Sequence, residues 1–564
     1  MVRVNIGFKG TLTIEQGGRR ASWGLDYEHN GVDITAIVPH GEVVVEIQPE
    51  QFTVIFNCEE EWNDDVNVEV KIELPGSLGH PLFPSYQGDL IRDSRADARW
   101  EFRGPGWQGS GDPSQRLAIP LAIAPSGNKF LMIGADPLFM SNFSVPRSGI
   151  CLIEWTMRAA AGVHTSFSRT LHVGFADSIA SAVNLWFERA TPMVPEGPSW
   201  LHEIAWQHYD YMSKNGAGWF KDIDAVCEIV APEDRNRVAF TMHGLYDVVG
   251  RYFYDKDEDR LDSHWTIFPF VENPNVQALE GVEVSSRAPK GYVFKNLDKH
   301  RPIVMDWEEL RGRLKYAKDR GFRVPFYLMT GMMDIGEPAT HIENGDGLNV
   351  QVPLWVGPDA IGPTYLRNPL HATTKEWLFG LTRSILAEIG DLIDALVIDE
   401  AYYVGYGQLG PNATKGYADR AQAELFRELA TICHEFKPSL ALLTADHIGT
   451  QELENQAFPY SLFADGIYHD AWSNPQNYDA VRWPTWRNVA WSCLWTPVTE
   501  ILSTKWCVMK YDAAISTGAG CFGDDVNIYE MQEDERDILK ELWQIKSSRR
   551  LKKFFTVNEI VDAR

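Results

Sequence analysis

The chain has no run of about eighteen consecutive apolar residues, so no membrane-spanning helix is expected. Its first residues, MVRVNIGFKG, lack the apolar stretch of a secretory leader. Cysteine is scarce. The seven cysteines (Cys58, Cys151, Cys227, Cys433, Cys493, Cys507 and Cys521) are odd in number, scattered, and form no CxxC pair. That pattern argues against the common zinc and redox signatures and fits free thiols in a reducing compartment, so a cytoplasmic location is expected. Positive charge is also short: 52 Lys and Arg face 78 Asp and Glu, a net charge of −26. Such a field repels phosphate backbones and anionic lipid, which makes nucleic acid and membrane surfaces poor partners. The basic cluster Lys546 to Lys553 reads as a solvated helix end. No His-x-His or His-Glu-x-x-His spacing occurs, so nothing calls for a metal, and no motif calls for a cofactor. The composition is compatible with a homo-oligomer.

Aromatic residues are abundant, at 12% with 20 Trp. Most Trp belongs in cores, but a surplus can line sites that stack on sugar rings. With 564 residues the chain is too long for one core, and two or three domains are expected.

Two kinds of pattern divide it. Up to about residue 177 short alternating runs are broken by turn residues: GEVVVEIQP from Gly41, FTVIFN from Phe52, VEVKIEL from Val68 and CLIEWTMRA from Cys151. Alternation with β-branched residues predicts antiparallel strands, and many of them predict a β-sandwich over 1–177. A linking helix is expected within 178–195, from Ser178 to Ala190, with Ile179, Val183, Trp186 and Phe187 on one face.

Beyond it, over 196–545, amphipathic helices alternate with short apolar runs. Asp306 to Arg320 precedes RVPFYLMT. Thr373 to Ile389, opening with Thr373 and Glu376 as a capping box, precedes DALVIDE. Its stripe is Trp377, Leu381, Ile385 and Ile389. Tyr417 to Phe436, with Leu425, Leu429, Ile432 and Phe436 on one face, precedes LALLTADH. Helix and doubly buried strand in repetition predict a parallel sheet, here a (β/α)8 or TIM barrel. Residues 256–300 and 331–365 read as long loops, and 546–564 as a tail packed on the rest.

In a barrel the residues that end the strands carry the chemistry. Asp399 ends the run of Asp394-Ala-Leu-Val-Ile-Asp399, and Asp470 ends Asp465-Gly-Ile-Tyr-His-Asp470, on the same plan. Asp465, at the start of its run, belongs on the opposite rim as a structural group. His243, Tyr246 and Asp247 follow the run from Val238, and Asp446 with His447 follows LALLTA. Two carboxyl groups from different strands are what glycosidic cleavage requires. One donates a proton to the leaving oxygen, and the other attacks the anomeric carbon or activates water. Glu400, Tyr402, Trp472, Trp483 and Trp486 stand close to these acids in sequence, and the aromatic rings suit pyranose stacking. Other readings of the same residues remain open: an inverting or β-specific glycosidase using Glu400 and Asp446, a sugar-binding protein without catalysis, and a metal-dependent hydrolase on Asp446-His447 and Asp524-Asp525.

A β-sandwich, a linking helix and a barrel with Asp ending two strands two units apart resemble the α-galactosidase and α-glucosidase clan of retaining glycoside hydrolases. The resemblance implies that Asp399, in LVIDE, is the nucleophile and Asp470, in YHDAWS, the acid/base. It further implies that Arg482 is the Arg downstream of the acid/base segment, and that Asp247 binds sugar hydroxyls. The expected partner is a small carbohydrate or glycoside, with an α-linkage implied by the resemblance.

Overall fold

The computed structural model describes residues 9–25, 31–33, 41–48, 51–58, 66–73, 78–85, 90–94, 98–102, 117, 119–137, 141–145, 152–159, 166–190, 197–210, 216–246, 252–255, 260–263, 270–272, 293–295, 300–305, 307–329, 333–334, 351–352, 364–366, 372–399, 415–446, 464–470, 489–493, 522–524 and 527–548.

The alternating runs of the N-terminal part form two antiparallel sheets. One orders Arg19–Leu25, Lys9–Gln16, Val66–Glu73, Leu152–Ala159, Ser141–Val145 and Ala98–Phe102. The other orders Gly31–Asp33, Gly41–Gln48, Gln51–Cys58, Ser166–Ala176, Lys129–Ala135, Leu121–Ser126, Leu82–Pro84 and Leu90–Arg92. Phe83 of the second sheet stacks on Trp100 of the first at 5.0 Å, and the Trp100 indole donates to Asp93 Oδ2 at 2.8 Å.

Helix α1 (Ile179–Ala190) lies on the second sheet, burying Ala182, Val183, Trp186 and Phe187 against Leu121, Ile123 and Met132. Its apolar residues recur at helical spacing, which is why one stripe faces the strands. The strands meet it with glycine. A Cβ added at Gly134 would collide with the Trp186 ring, whose indole donates to Ala135 O at 3.0 Å, and one at Gly174 would come within 2.7 Å of Leu185. Gly134→Ala should therefore cost about 1–3 kcal/mol by overpacking, read as a lower denaturant midpoint; an unchanged midpoint would mean the ring moves aside freely.

On the strand beside Gly134, burial and the neighbouring Arg189 hold the His172 imidazole down at about 4, against an ordinary value of 6.5. Between those values the unfolded chain binds the proton and the folded chain does not. The contribution to stability is thus present above about pH 6.5 and lost as the pH falls toward 4. His172→Gln should flatten the decline in melting midpoint between pH 7 and pH 5.

Residues 206–524 contain an eight-stranded parallel sheet. Its strands are designated in chain order β1 (Trp206–Asp210), β2 (Val238–Tyr246), β3 (Pro325–Met329), β4 (Ala395–Asp399), β5 (Ala441–Asp446), β6 (Gly466–Asp470), β7 (Val489–Cys493) and β8 (Phe522–Asp524). Neighbours follow the order β7-β6-β5-β4-β3-β2-β1-β8, and the Cα atoms of β7 and β8, at its two ends, approach within 8 Å. Helices α2 (Gly216–Ile229), α3 (Trp307–Asp319), α4 (Ala372–Ile389) and α5 (Lys415–Phe436) alternate with β1 to β5, and α6 (Glu533–Ser548) follows β8.

The two faces of this sheet are distinct. Phe240 meets Trp219 of α2 edge-on at 4.9 Å, and Trp206 lies 6.4 Å from Trp543 of α6, so even-numbered positions of β1, and of β2 as far as Met242, face helices. The opposite, inner face forms a core of Ala239, Tyr327, Ala395, Val397, Ala441 and Leu443. Trp200, Leu201 and Ile204, on and just after the 3-10 turn Ser199–Glu203, fill that core from below.

Two expectations need correction. Phe436 does not share the buried stripe of Leu425, Leu429 and Ile432; it is 44% exposed, because at the last residue of α5 its ring lies against Gly390, just past α4, rather than in the core. The segments read as long loops also carry short antiparallel strands. Tyr252–Asp255 pairs with Arg260–Ser263, Phe270–Glu272 and Val293–Lys295 both flank His300–Met305, and Met333–Asp334 and Gln351–Val352 flank Thr364–Leu366. Strands of two to six residues are too short to leave an alternation signal among Gly and Pro.

Candidate active site

The repeated Asp-x4-Asp plan resolves into two rims. Asp394, just before β4, is buried. Its Oδ2 accepts Lys318 Nζ at 2.6 Å and the Val324 N–H at 2.8 Å, and its Oδ1 accepts Arg323 Nη1 at 3.1 Å. Asp465, just before β6, repeats the device: its Oδ2 accepts the Leu442 N–H at 2.8 Å and lies 2.8 Å from His434 Nε2. Each carboxylate therefore ties the start of its own strand to the start of the preceding one. The Asp465 hydrogen bond holds the His434 imidazole above its ordinary range, with burial opposing, while burial and Asp465 together push the Cys433 thiol up and keep it inert. Asp465 is thus structural, as its position in the motif suggested.

Asp399 and Asp470 lie five residues further along, about 16 Å toward the C-terminal edge. Five of the eight strands end on Asp: Asp210, Asp399, Asp446, Asp470 and Asp524. Strand alternation separates them. Position 399 falls on the inner face of Ala395 and Val397. Position 470 falls there too, since Gly466 pairs with the inner Leu443 and 470 is two pleats on. Position 446 shares the helix-facing side with Leu442, position 210 pairs with Met242, and position 524 pairs with His208, whose ring packs at 4.3 Å on Phe240.

Further inner positions gather on one level. Tyr246 pairs with Met329 and Met329 with Asp399. Beyond β5, Ala445 pairs with Tyr468 and Tyr468 with Trp491, one pleat below the pair Asp470 and Cys493. Tyr468 and Trp491 were not singled out in the sequence, although counting back two residues from Asp470 would have found the first. His243 lies where β2 loses its regular register. Asp247, Glu400, Tyr402, His447, Trp472, Trp483, Trp486 and Arg482 lie outside the described residues. Among the described residues, no group of three or more His, Cys, Asp or Glu is arranged to hold a metal ion.

No protein-family model matches the chain, and no curated protein sequence matches it. Its fold is nevertheless shared with solved structures, and those described next are glycoside-cleaving enzymes. Among them is a GH36 α-galactosidase from Geobacillus stearothermophilus in complex with 1-deoxygalactonojirimycin. It superposes with a TM-score of 0.54 at 10% identity, over 96% of this chain and 76% of that one. A GH31 sulfoquinovosidase from E. rectale gives 0.52 at 9% identity over 100% and 82%. A cycloalternan-degrading enzyme from Trueperella pyogenes in complex with isomaltose gives 0.50 at 11% over 96% and 80%.

Proposed function

We propose that this protein is a glycoside hydrolase that cleaves an α-linked glycoside or small oligosaccharide with retention of configuration. In this reading residues 1–177 are a β-sandwich, 178–195 a linker, 196–545 a (β/α)8 barrel and 546–564 a tail. The approach of β7 to β8 supports closure of the barrel.

One observation carries the reading. Among the described residues of the eight strands, 399 and 470 are the only inner-face positions, by strand pairing, that an acidic residue occupies. Asp399 attacks the anomeric carbon as the C–O bond to the leaving group breaks, and Asp470 gives its proton to the departing oxygen. Asp470 then takes a proton from water, and the hydroxide so formed displaces Asp399 from the sugar. One strand, β5, stands between the two acids, a backbone span of about 10 Å. Side chains converging in one concave mouth can close such a span to the 5–5.5 Å typical of retention. An inverting pair built on Asp446 is less well supported, because position 446 alternates to the helix-facing side.

The test is a panel of 4-nitrophenyl α- and β-glycosides offered to the purified protein, with the first-formed anomer of the product read by NMR. Turnover of an α-glycoside to the α-anomer is expected. An inverted product would remove the double displacement, and no turnover at all would remove the enzyme.

A further inference from the structure

Strand β2 contains one irregularity. Met242 pairs with Phe326 and Leu245 with Leu328, so β2 advances three residues while β3 advances two. The extra residue, in the stretch His243-Gly244, is a β-bulge, and a glycine there removes the Cβ that would resist the kink. Its consequence is a change of face. Counted regularly from Phe240 and Met242, position 246 would belong to the helix-facing side and Leu245 to the inner one. With the bulge the assignment reverses: Leu245 pairs with Leu328, and Tyr246 joins Met329 and Asp399 on the inner level.

We infer that this bulge makes Tyr246 a substrate-binding residue that holds the sugar against Asp399. The inference rests on the glycosidase reading above and adds to it a residue that determines binding. Positions 246 and 470 are each separated from 399 by one intervening strand, β3 and β5, on opposite sides, so a sugar ring bound at Asp399 lies between them. A tyrosine suits that position, because its ring gives a flat apolar face for the C–H edges of a pyranose and its hydroxyl exchanges hydrogen bonds with the sugar.

The experiment compares Tyr246→Ala, Tyr246→Phe and Leu245→Ala on the 4-nitrophenyl glycoside that the wild type cleaves fastest. Tyr246→Ala should lower kcat/KM by roughly 10- to 100-fold, chiefly through KM, and Tyr246→Phe by less. Leu245→Ala should stay within about threefold of wild type in kcat/KM while lowering the melting midpoint, since position 245 pairs with 328 on the helix-facing side. Exchanging the two, Leu245→Tyr with Tyr246→Leu, should lose activity as Tyr246→Ala does. The reverse ranking, with Leu245→Ala the damaging change or the exchange harmless, would mean the strand is regular and overturns the inference. So would kcat/KM within about threefold of wild type for all of them. Should Tyr246→Ala fail to fold, a Tyr246→Phe loss without Leu245→Ala loss decides for it, and the absence of any such loss decides against it. A wild type that turns over no glycoside in the panel removes the glycosidase reading first, and this one with it.

Discussion

Asp399→Asn should leave a folded protein with turnover lowered by roughly 10^4-fold or more on every substrate the wild type accepts, a loss of about 5.4 kcal/mol of transition-state stabilisation. The amide is nearly isosteric with the carboxylate but is a far weaker nucleophile at the anomeric carbon, so chemistry fails while binding survives. Asp470→Ala should behave differently. With 4-nitrophenol as the leaving group little protonation is needed to break the bond, and the first step is largely spared; with a natural sugar leaving group the loss approaches that of Asp399→Asn. The measurement is kcat/KM for the two variants on paired activated and natural substrates, with melting midpoints confirming the fold. Equal and mild losses from both would remove these acids from the reaction.

Asp394→Ala should damage the fold and leave the chemistry alone. This carboxylate is the shared partner of Lys318 and Arg323 and the acceptor for the Val324 N–H, and it is itself buried. Removing it leaves the Val324 N–H and the two cations without their acceptor where α3 and the start of β3 meet β4. Breaking a buried pair costs about 3–5 kcal/mol. Here the cations are about a quarter exposed, with side-chain exposures of 25% for Lys318 and 27% for Arg323, so solvent compensates in part and about 3 kcal/mol is expected. Asp394→Asn retains an oxygen for Val324 and should lose less. The check is denaturant unfolding alongside kcat of the folded fraction. A stable Asp394→Ala protein would show that the cluster is ornamental, and a folded one with altered kcat would couple the two rims.

Much of the plan was legible because it is written in periodicity. The helix read from Ser178 to Ala190 is Ile179–Ala190, that from Thr373 to Ile389 is Ala372–Ile389, and that from Tyr417 is Lys415–Phe436. The runs VEVKIEL, FTVIFN and LALLTADH all contain strands. Phe436 shows where the method stops. Its spacing matches the buried stripe, but burial of the last helical residue depends on how far the sheet extends beneath it.

The site was only half legible. An acid ending an apolar run marks a strand end, and by that rule Asp399, Asp446 and Asp470 looked alike. Alternation along β4, β5 and β6 divides them, and it depends on which face of the sheet is turned from the helices. The chain alone determined the order of sheets and helices, the strand ends and their acids, since these follow from local hydrophobic period and charge. The tertiary structure decided which end of each Asp-x4-Asp pair is a rivet, which acidic positions share a face, and that one extra residue in β2 puts position 246 on that face. Those outcomes depend on pairing between strands tens of residues apart, from Leu443 with Gly466 to Met242 with Phe326, where a slip of one residue reverses every face and leaves no local trace.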